Sequence, residues 1–202
     1  MAMELQRALS DLAEVRDRLA HLQRFEGYSG PAALASGIAA LTAGFVQQRL
    51  APFPSTADAL HLYLLIWLSC LATALALNYG AVAVWLFKHR APGAQSRFRS
   101  AALSIAPSIV LGGALTLALI DHAQYALLPG TWFAFYAIGL FASHGVIPKI
   151  AVVITFAFGL LALAFLVTPL VAVALHWWVM PLGFGAGQIG IGWLLWRSRA
   201  HE

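Results

Sequence analysis

Long runs of apolar residues, separated by short charged segments, organise this chain. Five stretches contain no Asp, Glu, Lys or Arg, and they are residues 27–48, 59–87, 100–120, 122–148 and 150–196. A helix needs about 20 apolar residues to cross the roughly 30 Å hydrocarbon core of a bilayer. The first four stretches therefore each hold one membrane-spanning helix, and the fifth is long enough for two.

The fifth stretch divides at Thr168-Pro169-Leu170, because proline cannot donate to a helical ladder and disfavours helix in the residue before it. Membrane β-strands would show alternation over about ten residues, whereas these apolar blocks are continuous. The pattern predicts an all-α polytopic membrane protein whose six-helix bundle occupies residues 28–202. The predicted spans are about 31–49, 60–87, 101–120, 128–145, 148–168 and 176–196.

Residues 1–27 have the pattern of a cytoplasmic amphipathic helix. Apolar residues alternate at spacings of three and four in a heptad seam made of Leu5, Ala8, Leu12, Val15, Leu19 and Leu22. Gly27 and the Gly30-Pro31 pair separate this helix from the first span. The seam is compatible with a short coiled coil that dimerises the protein, with docking on a partner helix, or with a helix lying on the inner leaflet.

Composition supports the membrane interpretation. Hydrophobic residues make up 61% of the chain and charged residues 10%, and the mean hydropathy is +0.79. A soluble domain carries about 25% charged residues. Soluble globular domains, disordered chains and nucleic-acid-binding modules are therefore poor matches.

The distribution of Lys and Arg predicts the orientation. With a cytoplasmic N-terminus, all of the 12 basic residues except Arg49 fall on the inner side of the predicted spans. Such an excess is the usual mark of cytoplasmic segments. We expect a multi-pass protein with both termini in the cytoplasm, whose basic segments face anionic lipid headgroups rather than nucleic acid.

Away from the span ends, where Arg49 and Lys149 fall, the predicted spans contain no Asp, Glu, Lys or Arg, which argues against a proton-coupled pump or a channel for charged ions. The main polar candidates inside the predicted spans are Asn78, Tyr136 and Gln188, and Thr116 and Thr155 are further candidates. Such groups form interhelical hydrogen bonds or contact a ligand.

Gly183 and Gly187 form a pair of small residues four apart, which allows a neighbouring helix to approach closely.

Three histidines lie near the predicted outer boundary of the membrane: His61, His122 and His176, with Asp121 at the same depth. Imidazole and carboxylate ligands suit a transition metal such as Zn, Cu or Fe, if these span ends are neighbours. The alternative is that these histidines serve only as amphipathic interfacial residues. No cofactor is otherwise predicted, and no catalytic motif such as the GxSxG elbow is present.

Three short motifs resemble a group of bacterial six-span integral membrane proteins without an established activity. They are Arg24-Phe25-x-Gly27-Tyr28-Ser29, Leu128-Pro129-Gly130-x-Trp132 followed by Gly139-x-Phe141-Ala142-Ser143, and Phe184-Gly185-x-Gly187-Gln188. The resemblance implies a bacterial inner-membrane setting and assigns no functional residue.

The leading functional hypothesis is a non-enzymatic integral membrane protein that acts as a structural, accessory or sensory subunit. Its partners would be the lipid bilayer and either further copies of itself or a larger membrane complex. One alternative is a small transporter or channel for a neutral solute, which uses Asn78, Tyr136 and Gln188. The other is an outer-face metal or redox site.

Overall fold

The computed structural model describes residues 29–88, 94–143 and 151–199, and these residues are helical without any β-strand. Short 3₁₀ segments follow the third and the fifth helix, and one turn of π-helix precedes the sixth. The six helices are α1 (Gly30–Leu50), α2 (Ala57–Lys88), α3 (Ala94–Asp121), α4 (Leu128–Ala142), α5 (Ala151–Val167) and α6 (Ala186–Arg199). The 3₁₀ segments are Tyr125–Leu127 and Pro169–Val173, and the π-helical turn is Pro181–Gly185.

Helix lengths and composition fit a membrane protein. Three described segments, Gly30–Leu50, Ala57–Trp85 and Tyr125–Ala142, are long and apolar enough to cross a bilayer. Shorter apolar helices occupy Ile105–Asp121 and Val152–Val167. Many large apolar side chains on these helices are exposed, as expected for surfaces that face lipid rather than water.

The order of the helices around the bundle differs from their order in the chain. Helix α1 packs against α2 on one side and α6 on the other, α6 contacts α5, α5 packs on α4, and α4 packs on α3. Helices α2 and α3 are neighbours in sequence, but they pack on α1 and α4 respectively rather than extensively on each other. The bundle is therefore a curved wall whose two edges are α2 and α3.

Helices α1 and α6 meet along a glycine seam, which we define as Gly30, Gly37 and Gly44 of α1 facing Gly192, Gly185 and Pro181. A Cβ atom added at Gly30 would lie 2.9 Å from the Gly192 carbonyl oxygen, and one added at Gly37 would lie 3.0 Å from that of Gly185. At the far end, a Cβ on Gly44 would lie 2.0 Å from Cγ of Pro181. Because glycine lacks a side chain, the two antiparallel backbones come close enough for extensive van der Waals contact.

The segments that follow α1, α3 and α5 meet at one end of the bundle. The backbone N–H of Trp177 donates to the carbonyl oxygen of Pro52 at 3.0 Å. The ring of Phe53 stacks on His176 with 4.4 Å between ring centroids, and the two 3₁₀ segments contact each other. These three connections had been expected to share one side of the membrane, and in the structure they share one end of the fold.

The last predicted span differs from the observed structure. Residues 174–178 form turns rather than the beginning of a helix, and helical structure starts at Val179. Pro169 begins a 3₁₀ segment capped by Thr168, whose side chain accepts from the N–H of Leu170, as the predicted break at this position requires. Pro181, Gly183 and Gly185 then fall in the π-helical turn, since proline and glycine weaken the regular helical ladder. The predicted N-terminal helix of residues 1–27 lies outside the described residues.

We expect Gly44→Ala to destabilise the fold by about 1–3 kcal/mol, because the new methyl group overlaps the Pro181 ring. Gly159→Ala is the matched control, since a Cβ there meets nothing within 4 Å and alanine favours helix. The midpoint of thermal unfolding in detergent micelles measures both. Equal midpoints for the two variants would contradict the assigned role of the seam.

Candidate functional site

A cavity of about 630 Å³ lies inside the curved wall, and helices α1, α2, α3, α4 and α6 all contribute to its lining. Its volume falls in the range typical of a site for one small molecule, roughly 300–1,000 Å³. The lining is predominantly apolar, and no charged side chain of the described residues belongs to it. Asn78, Tyr136 and Gln188, the three polar candidates from the sequence, all line this one cavity.

The mouth of the cavity lies between α2 and α3. All of its exposed lining residues belong to these two helices, among them Leu68 and Tyr79 of α2 and Ile109 and Leu117 of α3. The lining residues of α1, α4 and α6 are buried or half-buried. In a membrane, an opening on the side of the bundle between two apolar helices leads into the hydrocarbon layer rather than into water.

Asn78 joins the cavity wall to α1. Its Nδ2 donates to Oγ of Ser36 and to the backbone carbonyl of Ala74, both at 2.8 Å. Because a carbonyl oxygen only accepts, this pair of bonds fixes which end of the carboxamide is nitrogen. The Ser36 hydroxyl in turn donates to the carbonyl of Ala32 at 2.9 Å. The Asn78 side-chain oxygen receives no hydrogen bond from the described residues.

Gln188 and Tyr136 form a second polar pair in the cavity wall, in which Nε2 of Gln188 donates to the Tyr136 hydroxyl. The pair links α6 to α4. Tyr136 also packs edge-on against Phe158 at 4.6 Å and Phe184 at 5.2 Å between ring centroids. Phe184 belongs to the π-helical turn, so this irregular turn sets both the aromatic packing and the position of the nearby Gln188.

Close packing around the π-helical turn explains the two glycines noted in the sequence. A Cβ on Gly183 would lie 2.2 Å from the Phe133 ring, and one on Gly187 would lie 2.6 Å from the Phe158 ring. Both glycines therefore admit aromatic rings from α4 and α5, while α1 is held by the separate glycine seam.

The strongest buried polar junction was missed in the sequence. Gln47 is fully buried, and its Oε1 accepts from Nε1 of Trp67 while its Nε2 donates to the Leu175 carbonyl, both at 2.8 Å. It thereby joins α1, α2 and the turn before α6. Gln47 lies two residues from Arg49, near the end of a predicted span, where polar residues are common. Its spacing of three from Gly44 continues the buried face of α1 and could have revealed it.

Tyr63 is a second buried polar residue that the sequence did not indicate. Its side chain is fully buried, and its ring stacks parallel to that of Trp132 at 6.2 Å. The hydroxyl finds no hydrogen-bond partner among the described residues. Trp132 lines the cavity and donates from Nε1 to Thr116 at 2.8 Å, so Tyr63 packs behind the cavity wall.

The outer-face histidines do not assemble a metal site. Within the described residues, no group of three or more His, Cys, Asp or Glu side chains could hold a metal ion. His122 lies 3.9 Å from Asp121, both side chains are largely exposed, and Nδ1 of His122 also contacts the Ala118 carbonyl at 2.8 Å. His176 instead stacks on Phe53, and His61 is exposed. The segments that carry these histidines lie at the same end of the bundle, but their side chains do not converge on one point.

The N-terminal heptad residues, Leu5, Leu12, Val15, Leu19 and Leu22, lie outside the described residues. Self-association or partner docking through this segment therefore stays a prediction.

Compared with known protein families, with curated proteins and with solved structures, the chain gives no match. The function therefore has to be argued from the cavity itself.

We expect Gln47→Leu to lower stability by about 1–3 kcal/mol for each partner left unpaired, namely the Trp67 indole N–H and the Leu175 carbonyl. Gln48→Leu is the matched control, because Gln48 is exposed on the same helix. Thermal unfolding in detergent micelles compares the two variants. A Gln47→Leu protein as stable as the control would show that the junction contributes nothing to stability.

Proposed function

We propose that this chain is a non-enzymatic, six-span protein of the bacterial inner membrane that binds a small, neutral and largely apolar solute within the bilayer. The observation that carries the proposal is the cavity of about 630 Å³ lined by Asn78, Tyr136 and Gln188. A few hydrogen-bonding groups in an otherwise apolar wall are typical of small-molecule sites, where they orient the ligand. Binding would serve either passage of the solute or its detection.

The chemistry of the lining supports a neutral solute. A charged ligand transferred into an apolar site requires an opposite charge or a dense set of hydrogen bonds. The polar side-chain groups of the described lining are amides, hydroxyls, indoles and the Cys70 thiol, and several of these already bond to one another. An uncharged molecule with one or two polar groups matches that supply.

The six-span arrangement is supported by the way the ends of the bundle are sorted. The connections after α1, α3 and α5 meet at one end. The start of α1 at Gly30 packs against Gly192 and Trp196 near the end of α6, as an even number of crossings requires. Lys88 and Arg197 lie at or near the ends of α2 and α6 and Arg99 near the start of α3, in the segments that the positive-inside rule predicts in the cytoplasm.

Cysteine labelling in intact bacterial cells tests this topology. In a Cys70→Ala background, we expect single cysteines in the three outer connections to react with a membrane-impermeant maleimide, and cysteines on the inner side to react only after permeabilisation. The outer variants are Ser55→Cys, Gln124→Cys and Ala172→Cys, and the inner ones are Lys88→Cys and Arg197→Cys, all at exposed positions. Labelling of Ser55→Cys and Lys88→Cys from the same side would remove the crossing by α2.

Thermal unfolding of the protein in lipid nanodiscs tests solute binding. Neutral long-chain and terpenoid alcohols should raise the unfolding midpoint in a saturable manner, because a ligand bound only to the folded state stabilises it. Gly113→Phe should abolish this shift, since Gly113 lines the cavity and has open space around it. Gly80→Phe is the control, because Gly80 has equal space on α2 but is not part of the lining. A shift that persists unchanged in Gly113→Phe places binding elsewhere.

A further inference from the structure

We infer that the occupant of the cavity is an elongated, uncharged lipid of the bilayer, which enters sideways between α2 and α3 and donates a hydroxyl or amide hydrogen to the side-chain oxygen of Asn78. This inference rests on the proposed function and narrows it to one class of solute and one route. Three features carry it: the shape of the cavity, the position of its mouth and the unused acceptor on Asn78.

The cavity is long. Its lining on α2 runs over residues 67–82 and on α3 over residues 102–120. At the α-helical rise these ranges span about 22 and 27 Å, which is most of the roughly 30 Å hydrocarbon thickness. A volume of about 630 Å³ spread over such a length describes a slot rather than a round pocket. A molecule with an extended apolar body fills a slot of this kind better than a compact solute does.

The route of entry follows from the mouth. The exposed side chains at the edges are aliphatic, among them Leu71, Ile109 and Leu117, except for the aromatic Tyr79, and none of them is charged. A molecule already dissolved in the hydrocarbon layer would pass between them without crossing a polar barrier. A solute arriving from water would first have to leave its hydration shell, and polar solutes lose several kcal/mol in that step.

Asn78 supplies the point of recognition. Both of its hydrogen bonds are made by Nδ2, and both hold the carboxamide in place against α1 and its own helix. The Asn78 side-chain oxygen accepts no hydrogen bond from the described residues and is not fully enclosed, because the Tyr63 hydroxyl is the only fully enclosed side-chain N or O atom without a partner among these residues. A fixed, accessible acceptor in an apolar slot selects a ligand that carries one donor along its length.

Photo-crosslinking in lipid vesicles tests the inference. The probe is a long-chain fatty alcohol that carries a diazirine, supplied within the bilayer, and it is compared with the matching fatty acid and the hydroxyl-free alkane. We expect the alcohol to attach to cavity-lining peptides, with labelling lost in Gly113→Phe and retained in Gly80→Phe. We expect the ionised fatty acid to label these peptides less than the alcohol.

The role of Asn78 is tested separately. Asn78→Leu should lower labelling by the alcohol about fivefold, the factor that corresponds to one hydrogen bond in a membrane protein, and should leave alkane labelling unchanged. Ser36→Ala is the matched variant, because it breaks the bond between α1 and α2 but keeps the acceptor on Asn78. Labelling of Ser36→Ala should therefore match the unmodified protein.

Three outcomes would overturn the inference. The first is labelling spread evenly over lipid-facing helices and unaffected by Gly113→Phe. The second is equal loss of alcohol labelling in Asn78→Leu and Ser36→Ala. The third is labelling of the cavity peptides by the alkane as strong as that by the alcohol, which would show that the hydroxyl plays no part in recognition. Stabilisation by neutral alcohols in nanodiscs, combined with any of these outcomes, would leave the proposed solute binding standing and remove only the lipid class and route.

Discussion

The contact between α1 and α6 holds the two halves of this bundle together. On one side α2 packs on α1, and on the other α3, α4 and α5 form a connected group that reaches α1 chiefly through α6 and the turns before it. Between lipid-embedded helices there is little hydrophobic driving force, so close van der Waals contact has to supply the association. The glycine seam permits that contact. Where the seam ends, Gln47 adds directional hydrogen bonds to α2 and to the turn before α6.

The cavity is a consequence of the same arrangement. Because α1 packs against α6, helices α2 and α3 form the two edges of the wall, although they are consecutive in the chain. The space between α2 and α3 is not filled by side chains and forms the cavity. Asn78 of α2 and Gln188 of α6 both line this space, and each is tied to a different helix by its own hydrogen bond. The polar groups that join the helices are therefore also the polar groups that a solute in the cavity would meet.

Sequence patterning predicted the helical segments well, because the requirement for about 20 uncharged residues leaves few alternatives. It also marked Asn78, Tyr136 and Gln188 as buried polar residues, although it could not say that they share one cavity. The order of helices around the bundle was beyond reach, because lipid-facing and helix-facing surfaces are equally apolar and the hydrophobic pattern carries no direction. On α1, the useful signal for the surface that packs against α6 was the spacing of seven residues between Gly30, Gly37 and Gly44. Gln47 was not identified as a buried residue, because it lies close to the charged Arg49. A similar predicted depth in the membrane was not enough to predict whether His61, His122 and His176 converge.

The glycine seam also has a consequence for biosynthesis. The surface of α1 that carries Gly30, Gly37 and Gly44 is covered by a segment that is synthesised about 140 residues later. At typical elongation rates this interval lasts roughly 10–30 s. During that time the glycine surface of α1 stays uncovered, so the contact between α1 and α6 can form only after α6 has been synthesised.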